Sequence, residues 1–175
     1  MSETRNPYDK VIFLDIEGVI VTHCSIIVNH CPEKQQTYHG GRAFWWHFID
    51  KNAMGLVYML AREYGAKIVL TSTLRGMSHT LVGLEAVAPI WAADDPYEYL
   101  STEHTKFLNS REREIAEFVA RNKVRKYVVF DDNPLACPNF ILTNAWNGLS
   151  YEEYQEAKVC LADTGQEVNQ ELVFI

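Results

Sequence analysis

The sequence predicts an α/β fold: a Rossmann-like, three-layer arrangement around a central parallel sheet. Two observations carry that expectation. Short apolar runs stop abruptly at polar residues, as strands buried on both faces do. Between the runs lie segments with helical spacing, and strands that alternate with helices build a parallel sheet covered on its faces.

The first run, Lys10-Val-Ile-Phe-Leu-Asp15, ends in a carboxylate. The second, Ala66-Lys-Ile-Val-Leu70, ends at Thr71-Ser72, and the third, Lys126-Tyr-Val-Val-Phe130, ends at Asp131-Asp132. A helix is predicted between the first two, over about residues 42 to 63. Phe44, Phe48, Leu56, Met59 and Leu60 supply its apolar positions and Gly65 its C-terminal stop. A second helix is predicted over about 109 to 122, where Asn109 and Glu112 can form a capping box and Ile115, Phe118 and Val119 form the apolar stripe. Further along, Phe140-Ile-Leu142 reads as a short strand, Ser150 as the cap of a helix over 151 to 161, and residues 171 to 175 as an edge strand.

With 175 residues, 47% of them hydrophobic, the chain is expected to form one domain, 1–175, with a substantial core. The stretch from about 76 to 108 is the least regular, with a helical segment near 79 to 87 and then a loop rich in acidic and aromatic residues. A connection of that length reads as a lid. No run approaches the roughly 18 apolar residues of a membrane helix, and the first residues lack a basic-then-apolar leader pattern, so a cytoplasmic protein is expected. Cys24, Cys31, Cys137 and Cys160 are scattered, and reduced thiols are expected. The formal net charge of −7 opposes extended, non-specific nucleic acid binding, although a local basic cluster can still hold one phosphate.

In parallel sheets ligands bind outside the carboxyl ends of the strands, and there fall Asp15, Thr71, Ser72, Asp131 and Asp132. In Phe13-Leu-Asp15-Ile-Glu17-Gly18-Val-Ile20 two acids can divide labour as nucleophile and proton carrier if Gly18 allows a sharp turn. Taken alone, the same acids also read as ordinary loop residues. Asp131 and Asp132 add oxygen ligands for a hard cation, and Mg²⁺ favours one or two carboxylates plus phosphate oxygens and water. Asn133-Pro134 reads equally as the start of a turn. Clustered carboxylates raise one another's pKa unless a cation sits among them.

Thr71-Ser72-Thr73-Leu74-Arg75 offers hydroxyls and backbone N–H groups, followed by a guanidinium able to fork two phosphate oxygens. Ser72 or Thr73 also reads as a helix N-cap, and a helix N-terminus is itself an anion site. Lys106, Arg111 and Arg113 are candidates for a further cation, with Arg111 preferred; a solvated helix-face side chain is the plain alternative for each. His23-Cys24, His30-Cys31 and His39 raise a zinc reading, but their spacing matches no tight Cys pair. Trp45 and Trp46 read as core, and Trp91, Tyr97 and Tyr99 as packing or as a platform for a base.

The ordered set around Asp15 and Glu17, Thr71-Ser72-Thr-Leu-Arg75, Arg111-Glu-Arg-Glu-Ile115 and Asp131-Asp132 resembles the four motifs of the haloacid dehalogenase (HAD) superfamily over about residues 10 to 135. It looks most like the small phosphatase-like domains of phage, bacterial and RNA repair proteins, and Gly148-Leu-Ser150 with the helix after it extends the likeness to about 161. The resemblance implies a HAD-like fold with a small flap, about 19–43, and no large cap domain. It implies a Mg²⁺-dependent phosphomonoester hydrolase in which Asp15 forms an aspartyl-phosphate and Glu17 serves as acid and base. Thr71, Ser72, Arg75 and Arg111 would bind substrate. Asp15, the backbone carbonyl of Glu17, Asp131 and Asp132 would bind metal. The implied partner is a phosphorylated small molecule, a nucleotide or a nucleic acid end. Glu17 stands where the family usually has aspartate. That departure keeps open a non-catalytic phosphate- or nucleotide-binding module, beside an aspartyl-phosphate phosphotransferase.

Overall fold

A computed structural model describes residues 6–29, 48–76, 84 and 98–163. Strands β1 (Lys10–Leu14), β2 (Lys67–Leu70), β3 (Lys126–Asp131) and β4 (Phe140–Leu142) pair in parallel in the order β2-β1-β3-β4. β1 is central, and Leu14 lies opposite both Leu70 of β2 and Phe130 of β3. The carboxyl ends of the three strands are therefore level, which brings the polar residues that follow them to one edge.

Side chains alternate across the sheet, and both faces are covered, as the apolar runs require. Ile12, Leu14, Ile68, Leu70, Val128 and Phe130 share a core with Met54 and Leu60 of helix α2 (Lys51–Tyr64) and with Ala157 and Leu161 of helix α4 (Tyr151–Leu161). On the opposite face Val11, Phe13, Val69, Tyr127 and Val129 pack on Ile115, Phe118 and Val119 of helix α3 (Arg111–Asn122). Phe118 meets Phe13 edge to face at 5.5 Å, an arrangement that adds to the burial of both rings. Truncating Phe118 to alanine removes the centre of that layer, at a cost of about 3–5 kcal/mol.

Local chemistry sets the helix limits. α2 starts at Lys51, later than the apolar spacing predicts, because Asp50 caps it: its carboxylate accepts from the N–H of Asn52 at 2.8 Å and of Ala53 at 3.2 Å. It ends as expected at Gly65, which adopts a left-handed φ of 62°. Met59, predicted to lie in the core, is exposed; the buried face runs through Ala53, Met54, Val57, Tyr58, Leu60 and Ala61. α3 is capped by Ser110 and not by Asn109, its hydroxyl accepting from the N–H of Arg113. α4 has the predicted Ser150 cap, completed into a capping box by Glu153.

A short helix α1 (His23–Asn29) follows the first strand's loop. The remainder of the predicted flap, most of the predicted lid, the edge strand at 171–175, and His30, Cys31, His39, Phe44, Trp45, Trp46, Trp91 and Tyr97 lie outside the described residues. Within the 79–87 segment only Leu84 is described, and it is buried. Among the described residues no helix is long and apolar enough to cross a membrane.

Candidate functional site

The sheet's own ladder carries the site. The N–H of Asp15 donates to Phe130 O and that of Thr71 to Leu14 O, both at 3.0 Å, so each residue is held at the end of its strand by its neighbour. After Asp15 the chain folds back at once: Ile16 O accepts from the N–H groups of Ile20 and Val21, and Gly18 N donates to Val21 O at 2.8 Å. Gly18 has φ of 73°, and a Cβ there would overlap the Asp132 carboxylate. Glycine is required twice, once for the turn and once for the close approach of Asp132.

That approach brings the two acidic segments together. Asp15, Asp131 and Asp132 offer carboxylate oxygens that all lie within 4.8 Å of one another. Asp15 and Asp131 are buried and Asp132 is half-buried. Burial pushes the Asp15 carboxyl up from 3.8 to about 6; the charge of Asp131 acts in the same sense, while Arg111 and hydrogen bonds from Ile16 and Ser72 oppose it. Asp132 is also raised, by burial and then by Asp131. Asp15 Oδ1 is buried and accepts no hydrogen bond, although an unsatisfied polar atom costs about 1–3 kcal/mol.

Among the described residues, Arg111 is the cation paired with these acids. Its Nη1 lies 2.6 Å from Asp131 Oδ2, 3.3 Å from Thr71 Oγ1 and 3.4 Å from Asp15 Oδ1. Of the other two candidates, Lys106 pairs with Glu117 at 2.6 Å, and Arg113 is exposed on α3.

The expectation for Arg75 needs correction. Its guanidinium is turned into the protein, where Nε donates to Thr105 O at 2.9 Å and Nη1 to Thr71 O and Ser72 O. Nη2 donates to Glu114 Oε2 at 2.7 Å and Lys106 O at 3.3 Å. With every nitrogen engaged, no fork is left for phosphate oxygens. Arg75 instead ties the end of β2 to the loop before α3. Its partner Glu114 falls in the Arg111-Glu-Arg-Glu-Ile115 motif but was given no role from the sequence, although a carboxylate beside Ile115 on the buried stripe of α3 was a readable signal. Glu114 also accepts from Leu108 N at 2.9 Å and approaches Arg111 Nε at 4.0 Å.

Ser72 is fully buried, and its hydroxyl accepts from Leu74 N at 3.2 Å at the start of the 3₁₀ turn Thr73–Gly76. The cap reading of Ser72 therefore stands beside its contact with Asp15. Glu17 is exposed, and Thr73 Oγ1 donates to its Oε2 at 3.4 Å. Thr143, also not anticipated, donates to Gly18 O at 3.1 Å and ties the turn to the end of β4. His23 and Cys24 are exposed, and Cys24, Cys137 and Cys160 are free thiols. Beside Glu17 and Asp132 opens a cleft of about 410 Å³ whose wall includes His23, Ile26, Phe48 and Leu74.

The donor set fits a divalent metal. Three convergent carboxylates are hard oxygen ligands of the type that Mg²⁺ takes, and the donorless Asp15 Oδ1 is an oxygen that a cation would satisfy.

Residues 11–154 match the family described as the HAD domain in Swiss Army Knife RNA repair proteins. No curated protein and no solved structure matches the chain.

Proposed function

The chain belongs to the family of HAD domains found in Swiss Army Knife RNA repair proteins, and from that premise we propose that it is a Mg²⁺-dependent phosphomonoester hydrolase acting on a nucleotide or nucleic acid end. The observation that carries the reading is Asp15: a carboxylate at the end of the central strand, with one buried oxygen lacking a donor, beside a guanidinium and two further acids.

In this reading Asp15 attacks the phosphorus. One bond forms between its oxygen and phosphorus as the ester P–O bond breaks, and Glu17 gives its proton to the departing oxygen. Water then attacks the aspartyl-phosphate, Glu17 takes the proton back, and inorganic phosphate leaves with Asp15 restored. Arg111 and Thr71 hold the non-bridging oxygens, and Ser72 orients Asp15. Asp15, Asp131 and Asp132, with the backbone carbonyl of Glu17, would hold the metal, which when bound supplies charge neutralisation to the phosphoryl group. Arg75 and Glu114 act at one remove by fixing the strand end and α3.

Glu17 favours one rival. Its side chain is a methylene longer than the aspartate usual at that position, and a misplacement of about 1 Å can cost 10²-fold in rate, which would leave a phosphate-binding module. Release of inorganic phosphate from a broad ester panel with Mg²⁺ tests the enzyme. Release that disappears in Asp15→Asn supports it, and no Asp15-dependent release from any ester overturns it. A sharp rise in rate in Glu17→Asp from a near-zero baseline would favour the binding module.

A further inference from the structure

The groups that would hold the metal come from two segments, the turn after β1 and the end of β3. The register of β1 against β3 ends at Leu14 and Phe130, so it does not itself fix where Glu17 and Gly18 lie relative to Asp132. Thr143 joins the two segments. It follows β4 and is buried; its N–H donates to Asp131 O at 3.0 Å and its hydroxyl to Gly18 O at 3.1 Å. The same stretch of chain grips the turn again through backbone bonds, from Leu149 N to Val19 O at 2.9 Å and from His23 N to Ala145 O at 3.0 Å. Those bonds do not depend on side-chain identity. The bond to Gly18 needs a hydroxyl.

Gly18 sets the gap between the segments, because the Asp132 carboxylate occupies the space that a Cβ would fill. Its N–H donates to Val21 O at 2.8 Å. That N–H belongs to the same planar peptide unit as the Glu17 carbonyl. With the N–H held by Val21 and the Gly18 carbonyl held by Thr143, the peptide planes on both sides of Gly18 are fixed, and with them the direction of Glu17 O.

We infer, on the basis of the metal-dependent reading above, that Thr143 is a positioning residue for the metal site: its hydroxyl holds the Glu17–Gly18 peptide at the spacing from Asp132 that a divalent cation requires. It acts through Gly18 and not by contact with the cation. Groups that orient metal ligands from behind change metal affinity by about 10–100-fold when removed.

The test is calorimetric titration of Mg²⁺ into the natural protein, Thr143→Val, Thr143→Ala and Thr143→Ser, each checked by a melting curve, together with phosphate release from an ester panel across Mg²⁺ concentrations. Thr143→Val keeps the branched shape and loses the hydroxyl, Thr143→Ser keeps the hydroxyl, and Thr143→Ala is a second hydroxyl-free variant if valine prevents folding. Gly65→Ala supplies the comparison for lost stability alone. The expected result is a rise of about tenfold or more in the Mg²⁺ Kd of Thr143→Val, against a change within about threefold in Thr143→Ser and Gly65→Ala, with the Mg²⁺ concentration for half-maximal release rising in parallel. Weaker Mg²⁺ binding in the hydroxyl-free variants with no phosphate release anywhere retains the positioning role and removes the hydrolase reading. An unchanged Kd in those variants, with Asp15-dependent release intact, overturns the positioning role and retains the hydrolase. Equal losses in Thr143→Ser and Thr143→Val also overturn it, since the hydroxyl is then not what holds the turn. No Mg²⁺ binding by the natural protein overturns both the positioning role and the metal site.

Discussion

Arg111 Nη1 stands 2.6 Å from Asp131 Oδ2, and the same nitrogen reaches Thr71 and Asp15. One guanidinium thereby touches the polar residues at the ends of β1, β2 and β3. Replacing it with lysine keeps the charge and loses the planar fork. Arg111→Lys is expected to lower kcat/KM for phosphate release by about 10²-fold with little change in thermal stability. Steady-state kinetics and a melting curve on the same preparation check both parts.

The buried pair Arg75 and Glu114, 2.7 Å apart, is expected to stabilise the fold. Removing either partner leaves the other charged and buried, at a cost of about 3–5 kcal/mol. Glu114→Ala and Arg75→Ala should each lower the urea midpoint strongly, and the double variant should lose much less than the sum of the two. Additive losses would show that the two side chains stabilise separate parts of the protein.

Burial of Asp15 gives a pH dependence whose sign can be worked out. Its folded value of about 6 lies above the ordinary 3.8, so between those values the native state holds more proton than the unfolded chain. The metal-free protein should therefore lose stability as pH rises through that window. Above it, Asp15→Asn should be more stable than the natural protein by on the order of 1–3 kcal/mol. Mg²⁺ should raise the melting temperature of the natural protein and raise that of Asp15→Asn much less. Melting curves at several pH values, with and without Mg²⁺, measure all of these.

Gly18 and Gly65 both have left-handed φ, but a Cβ at Gly65 meets open space and one at Gly18 meets Asp132. Gly65→Ala should cost about 1 kcal/mol of stability. Gly18→Ala should cost more, and it should also weaken Mg²⁺ binding by displacing the Asp132 carboxylate. Isothermal titration of Mg²⁺ into the two variants separates the backbone effect from the effect on the site.

What could be read from the sequence follows from which physics is local. Asp15, Thr71 and Asp131 were legible because each ends an apolar run, and a parallel sheet brings such ends to one edge. Arg111 could be preferred over Lys106 and Arg113, but only the fold shows Lys106 drawn to Glu117 and Arg113 facing solvent. The direction of Arg75 was not legible. It depends on carbonyls of residues 105 and 106 and on Glu114, groups distant in the chain that meet only after α3 docks. The start of α2 was misplaced because Phe48 continues the apolar spacing, whereas the Asp50 cap decides where the hydrogen-bonded turn begins. The cleft was not legible either, since Ile26, Phe48 and Leu74 come from three separate segments.

The central claim is that Asp15 accepts the phosphoryl group. Rapid acid quench during turnover of a phosphomonoester with Mg²⁺, followed by peptide mass spectrometry, measures it directly. The account predicts one added phosphoryl group on the peptide containing Asp15 and neither adduct nor turnover in Asp15→Asn. Undiminished phosphate release by Asp15→Asn, with no adduct on that peptide in the natural protein, would contradict it.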